Sequence, residues 1–127
     1  ICYEILFTEE VISRLSKNTN LLINITNDAW FGKTVGPYQH LALAKIKAVE
    51  LGIPLARVAN TGISTFISPY GKEITRIPLY KSGVKTVSLV APLENTIYKK
   101  YGEIIFFVSI LSLLIINKLS TFKLARE

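Results

Sequence analysis

Residues 21–60 read LLINITNDAWFGKTVGPYQHLALAKIKAVELGIPLARVAN, and the fold class turns on this stretch. Leu21 to Thr26 is a short strand. It runs into a loop, Asn27 to Gly36, in which Gly32 and Gly36 permit backbone conformations closed to other residues. Pro37 suits the first turn of a helix, Leu41, Ala44, Ala48 and Leu51 recur at helical spacing, and Gly52 is placed to end it. A second strand follows from Leu55 to Ala59.

Working outward toward the start, Ile1 to Phe7 is a short apolar run broken by Cys2 and Glu4, suited to the end of a strand. Thr8 then serves as an N-cap, with Glu9 and Glu10 in the first turn where the helix dipole favours negative charge, and the helix extends to about Lys17. Toward the end, further strands are expected at Thr65 to Ser68, Glu73 to Ile77 and Val84 to Val90. Tyr70-Gly71 and Ser82-Gly83 supply turns, and Pro69 and Pro78 limit strand length. The order strand, helix, strand, helix, then a run of strands gives an α/β class, a layered sheet packed on helices.

Composition narrows the function. The chain has 127 residues, 15 Lys+Arg against 9 Asp+Glu, a net charge of +6 and a hydrophobic fraction of 50%, too apolar for disorder and high for a soluble domain of this size. One Cys and one His exclude an internal disulfide framework and a Cys/His zinc site, so no metal is expected. The basic residues are scattered without interleaved aromatics, which argues against nucleic acid. Lys99, Lys100, Lys118, Lys123 and Arg126 instead bracket one apolar segment, a membrane pattern. Ile104 to Ile116 is apolar all round except at Ser109 and Ser112. A helix from Tyr101 to Leu119 spans roughly 28 Å against a hydrocarbon core of about 30 Å, and the alternative is a buried core helix. The absence of Met and the opening at Ile1 in an apolar run read as the C-terminal part of a longer chain.

Several residues invite chemistry. In an extended segment Glu4 would face the same side as Cys2, and a carboxylate beside a thiol is useful only if something takes the thiol proton and a cation balances the site. His40 reads as a hydrogen-bonded structural residue, Asp28 as a brace for its loop, and Trp30, from the residues alone, as a core aromatic. Arg57 and Asn60 order the sheet edge, and Lys99 and Lys100 suit lipid headgroups.

Ile1-Cys2-Tyr3-Glu4, Asn27-Asp28-Ala29-Trp30-Phe31-Gly32, Gly36-Pro37 with Gln39-His40, Glu50-Leu51-Gly52, and Arg57 with Asn60-Thr61-Gly62 together resemble the apolipoprotein N-acyltransferases, membrane-bound members of the nitrilase (carbon-nitrogen hydrolase) superfamily. Thr96, Tyr98 and Gly102 before the apolar segment resemble that family's approach to its last transmembrane helix. The resemblance implies the C-terminal half of an α-β-β-α sandwich over residues 1–97, a transmembrane helix with interfacial approach over 98–119, and a cytoplasmic basic tail over 120–127. It further implies a bacterial inner-membrane location with the catalytic domain in the periplasm. Cys2 would be the nucleophile that takes an acyl chain from a phospholipid as a thioester and passes it to the diacylglyceryl-cysteine of an apolipoprotein, without a cofactor. Glu4 resembles a second acidic catalytic residue, and Tyr3, Trp30 and Phe31 would bind substrate, the last two on a mobile loop. The family's base Glu and oxyanion Lys precede its Cys, so these residues alone are expected to be inactive. A nitrilase-like amidohydrolase and an inert membrane-anchored remnant or binding module are the alternatives.

Overall fold

The computed structural model describes the backbone of residues 1–124 and the side chains of residues 1–120. The chain divides into two compact units, Ile1–Thr96 and Ile97–Glu127.

In the first unit a 3₁₀ turn, Cys2–Leu6, precedes helix α1, Thr8–Ser13. Strand β1, Leu22–Asn27, then leads through a short 3₁₀ turn, Ala29–Phe31, into helix α2, Gly36–Leu51, followed by strands β2, Leu55–Asn60, β3, Ser64–Ile67, and β4, Glu73–Ile77. The strands form one sheet in the order β1-β2-β3-β4. β1 and β2 are parallel, with α2 supplying the crossover that parallel neighbours need, and they pair Leu22 with Leu55 and Asn24 with Arg57. β3 and β4 continue as an antiparallel meander. The mixed α/β class expected from residues 21–60 is therefore observed.

α2 is the helix that positions the site. Pro37, His40, Leu41, Ala44, Lys47, Ala48 and Leu51 form its buried stripe at helical spacing. Its lower part packs Leu41, Ala44 and Ala48 with Ile5, Leu55, Ile63 and Ile67 in the hydrophobic core. Gly52 ends it in the left-handed region at φ +65°, its N–H reaching back to Ala48 and Val49.

Three expectations for this unit are corrected. Residues 2–6 form a 3₁₀ turn and not a strand end. α1 stops at Ser13, and Thr8 is its first residue and not its cap, because the Thr8 hydroxyl accepts a hydrogen bond from the Lys47 ammonium. Residues 84–90 form no strand: the segment Gly83–Val87 shares a cleft with residues of β2, β3 and β4 and pairs with none of their edges. Alternating hydrophobicity alone cannot supply a ladder partner.

The second unit holds helix α3, Ile97–Tyr101, a break at Gly102 with φ +54°, and helix α4, Ile104–Leu124. The break moves the start of the long helix from Tyr101 to Ile104. Among the described residues, no helix is long and apolar enough to cross a membrane. The stretch from 104 to 116, apolar but for two serines, rises about 20 Å. Within the basic tail expected over 120–127, residues 125–127 and the side chain of Lys123 lie outside the described residues.

Candidate active site

β1 has an inverted alternation. Asn24, Thr26 and, just beyond the strand, Asp28 are buried, whereas Ile23 and Ile25 are 64% and 57% exposed. A polar layer thus lines the face that α2 covers, and its members hydrogen-bond to one another. Arg57, beside Asn24 in the parallel register, donates from Nη1 to Asn24 Oδ1 at 2.6 Å and from Nη2 to Asp28 Oδ2 at 2.8 Å. His40 Nδ1 lies 2.9 Å from Asp28 Oδ1 and 3.2 Å from Arg57 Nη2. The Asp28 carboxylate can only accept and is the nearer neighbour, so Nδ1 is assigned as the donor to Asp28, which leaves Nε2 as the acceptor and makes the Arg57 Nη2 approach a contact without a shared proton. His40 Nε2 and Arg57 Nε have no partner among the described residues.

An unpaired charge so deeply buried costs several kcal/mol, so Arg57 and Asp28 are kept together by their bidirectional support and not by mutual attraction alone. Burial pulls the Arg57 guanidinium below its ordinary range, and the Asp28 carboxylate pushes it back. Burial, then the Arg57 charge, lowers His40 below its ordinary 6.5, against the opposing hydrogen bond to Asp28. The ring sits edge to Phe31 at 5.8 Å and tilted to Tyr3 at 5.3 Å. Gly62 completes the enclosure: a Cβ there would stand 2.2 Å from Asp28 Oδ2.

Cys2 rests on this layer. Its carbonyl accepts from Asn24 Nδ2 at 3.1 Å, and its Sγ accepts from the Thr26 hydroxyl at 3.3 Å. Its backbone lies at φ +52°, a left-handed conformation that a side chain adopts only where the surroundings impose it. The Asn27 backbone N–H acts most strongly on the thiol, followed by the Thr26 hydroxyl. They hold it below its ordinary 9.0 against partial burial and the Asp28 charge. A half-buried thiol under several donors, with a guanidinium behind them, has the electrostatics of a nucleophile.

Tyr3, half exposed, lies beside Cys2 and over His40. Glu4 does not face the same side as Cys2, because a 3₁₀ turn rotates residues two apart away from each other. Its carboxylate accepts from Arg14 Nη1 at 3.4 Å. Trp30 is 87% exposed and so is not a core aromatic. Its loop is braced by Asn27 Oδ1, which accepts from the Ala29 N–H, and by the Tyr80 hydroxyl, which donates to the Gly32 carbonyl at 2.9 Å. Phe31 packs its ring where a Gly36 Cβ would be. Asp28 braces more than its loop, since it ties β1, α2 and β2 together. Among the described residues no group of acidic, His and Cys side chains is arranged to hold a metal. The residues the sequence reading missed are Asn24 and Thr26; the signal was the 24, 26, 28 polar spacing.

The parallel β-α-β unit, the antiparallel strands beside it and the buried charged layer under the Cys2 turn make up one α/β layered domain. The profile of the carbon-nitrogen hydrolase family matches residues 1–98, and the chain belongs to that family. Within the family it is similar to proteins named apolipoprotein N-acyltransferase. The protein of Bradyrhizobium diazoefficiens is 45% identical over 104 residues, 82% of this chain and 19% of that protein. Those of Haemophilus influenzae and Rickettsia bellii are 38% and 39% identical over 122 and 128 residues, covering 96% and 98% of this chain. The chain spans 19% to 25% of the length of these relatives.

Proposed function

We propose that the chain carries the nucleophile of an apolipoprotein N-acyltransferase and that Cys2 is that nucleophile. The observation that carries the reading is the Cys2 sulfur held at φ +52° under the Thr26 hydroxyl, with its thiol pKa lowered. In the first half-reaction the thiolate attacks the carbonyl of a phospholipid ester. The S–C bond forms, the C–O bond breaks, and the glycerol oxygen leaves with the proton that a base took from the thiol. In the second, the free amine of a lipoprotein's diacylglyceryl-cysteine attacks the thioester. The N–C bond forms, the thiolate leaves, and the amine's proton passes to the base. A thiolate suits both steps, being a good nucleophile and a good leaving group. The resemblance assigns the base to a Glu and the oxyanion contact to a Lys, both preceding the family's Cys, so the 127 residues alone transfer no acyl chain.

Residues 1–97 form the part of the catalytic domain that holds Cys2, with Tyr3, Trp30 and Phe31 toward the lipid substrates and Glu4 steadying the turn through Arg14. The exposure of Trp30 supports a lipid-facing loop. The segment 98–119 enters and crosses the bacterial inner membrane, leaving the catalytic domain in the periplasm and the C-terminal residues in the cytoplasm. Support comes from the exposed apolar side chains from Ile104 to Leu119 and from the tyrosines and lysines of α3. Lifting either lipid substrate into water costs about 0.8 kcal/mol per CH₂, so the site belongs at the bilayer surface.

The test replaces the matching segment of the Haemophilus influenzae relative with this chain and supplies phospholipid and a diacylglyceryl lipopeptide. The chimera acylates the lipopeptide amine, and Cys2→Ser abolishes transfer. Acylation surviving in Cys2→Ser would overturn the reading, and release of free fatty acid without amide would favour the amidohydrolase.

A further inference from the structure

The Thr26 side chain is 5% or less exposed as a residue, and its single hydroxyl proton has two acceptors in reach: Cys2 Sγ at 3.3 Å and Asp28 Oδ1 at 3.4 Å. Only one can be served at a time. We propose that Thr26 is a further catalytic residue, its hydroxyl donating to the Cys2 sulfur while that sulfur is anionic and turning to Asp28 Oδ1 once the sulfur is acylated. The proposal rests on reading Cys2 as the acyl carrier.

The reason lies in the acceptors. A hydrogen bond to an ionised acceptor is about twice as strong as one between neutral groups, so a thiolate draws the hydroxyl and a thioester sulfur, neutral and weakly accepting, gives it up. A buried hydroxyl left without an acceptor would then cost its desolvation. Asp28 removes that cost, because Arg57 fixes its Oδ2 and His40 its Oδ1, and its position does not depend on the state of the sulfur. The Thr26 O–H bond is never broken; only its acceptor changes. When the amine expels the sulfur and negative charge returns, the donor is already at hand. The same hydroxyl therefore favours thiolate formation and thiolate departure, the two events on which a thioester relay depends.

The charged and titratable groups facing Cys2 are Asp28 beyond β1, Arg57 on β2 and His40 on α2, while Glu4, on the same turn, is engaged with Arg14. A substitution at position 26 removes one donor from Asp28, which keeps His40 on Oδ1 and Arg57 on Oδ2, and leaves the hydrogen bonds of Arg57, His40 and Glu4 in place. Because Cys2 is the sole cysteine, the rate of alkylation by iodoacetamide in the full 127-residue chain, held in detergent, reports its thiolate fraction directly.

In Thr26→Val the pH profile of alkylation moves to higher pH, with the rate at neutral pH falling about tenfold, as expected for losing one hydrogen bond to a charge. Thr26→Ala moves it likewise, and Thr26→Ser keeps the original profile. Far-ultraviolet circular dichroism and urea midpoints verify that the variants compared are folded. An unchanged profile in Val and Ala, or a shift in Ser equal to that in Val, overturns the proposal. Either result leaves the acyl-carrier assignment standing, since that assignment is decided by Cys2→Ser in the chimera.

Discussion

At the scale of single residues, His40 is held away from its solution chemistry by its surroundings. Its neighbours are Asp28, Arg57 and the rings of Tyr3 and Phe31, and its pKa is lowered from 6.5 by burial. As pH falls through 6.5 the unfolded chain takes up a proton on this ring and the folded chain does not. Protons therefore favour unfolding, and stability declines from about pH 6.5 down to the lowered folded value. Urea midpoints measured from about pH 8 to pH 5 fall on acidification in the wild-type chain, more steeply than in His40→Gln, which has no imidazole to protonate. Equal slopes would show that His40 is not held neutral. His40 was legible as a structural, hydrogen-bonded residue. Thr26 and Asn24 were not legible, because the usual alternation places Ile23 and Ile25 inward; here the buried face is polar because Arg57 and Asp28 must be satisfied there.

Among the elements, α2 and its two flanking strands were readable almost to the residue, since Pro37, the apolar period and Gly52 act through local backbone chemistry. Gly52 holds φ +65°, and a Cβ there would lie 2.6 Å from Thr96 Cγ2 and 3.0 Å from Leu93 Cβ. Gly52→Ala therefore destabilises the first unit by about 1 to 2 kcal/mol from the backbone alone, with the contact adding to it. A urea denaturation curve with an unshifted midpoint would contradict this. The turn at Cys2–Leu6 and the segment 84–90 were not readable. Both depend on partners distant in sequence: the Cys2 carbonyl is fixed by Asn24, and residues 84–90 lie near β4 without pairing to it. Thr8 followed the same rule, its capping hydroxyl taken by Lys47.

On the scale of the whole molecule, the net charge of +6 and the apolar second unit favour an anionic lipid surface, whereas the first unit belongs by sequence and fold to the carbon-nitrogen hydrolases. The 127-residue chain is expected to float with phospholipid vesicles and to stay with them through an alkaline carbonate wash. If residues 98–119 cross the bilayer as proposed, Leu111→Arg combined with Ile115→Arg releases it, because each arginine at the centre of a span costs about 2.5 to 3.5 kcal/mol. Release of the wild-type chain by carbonate would contradict the span from 98 to 119. The most direct measurement is peptide mass spectrometry of the chimera after incubation with a phospholipid of known acyl chains and no acceptor. A fatty acyl mass on the peptide containing Cys2, removed by neutral hydroxylamine and absent in Cys2→Ser, is the predicted result; an acyl mass on another residue, or none, would contradict it.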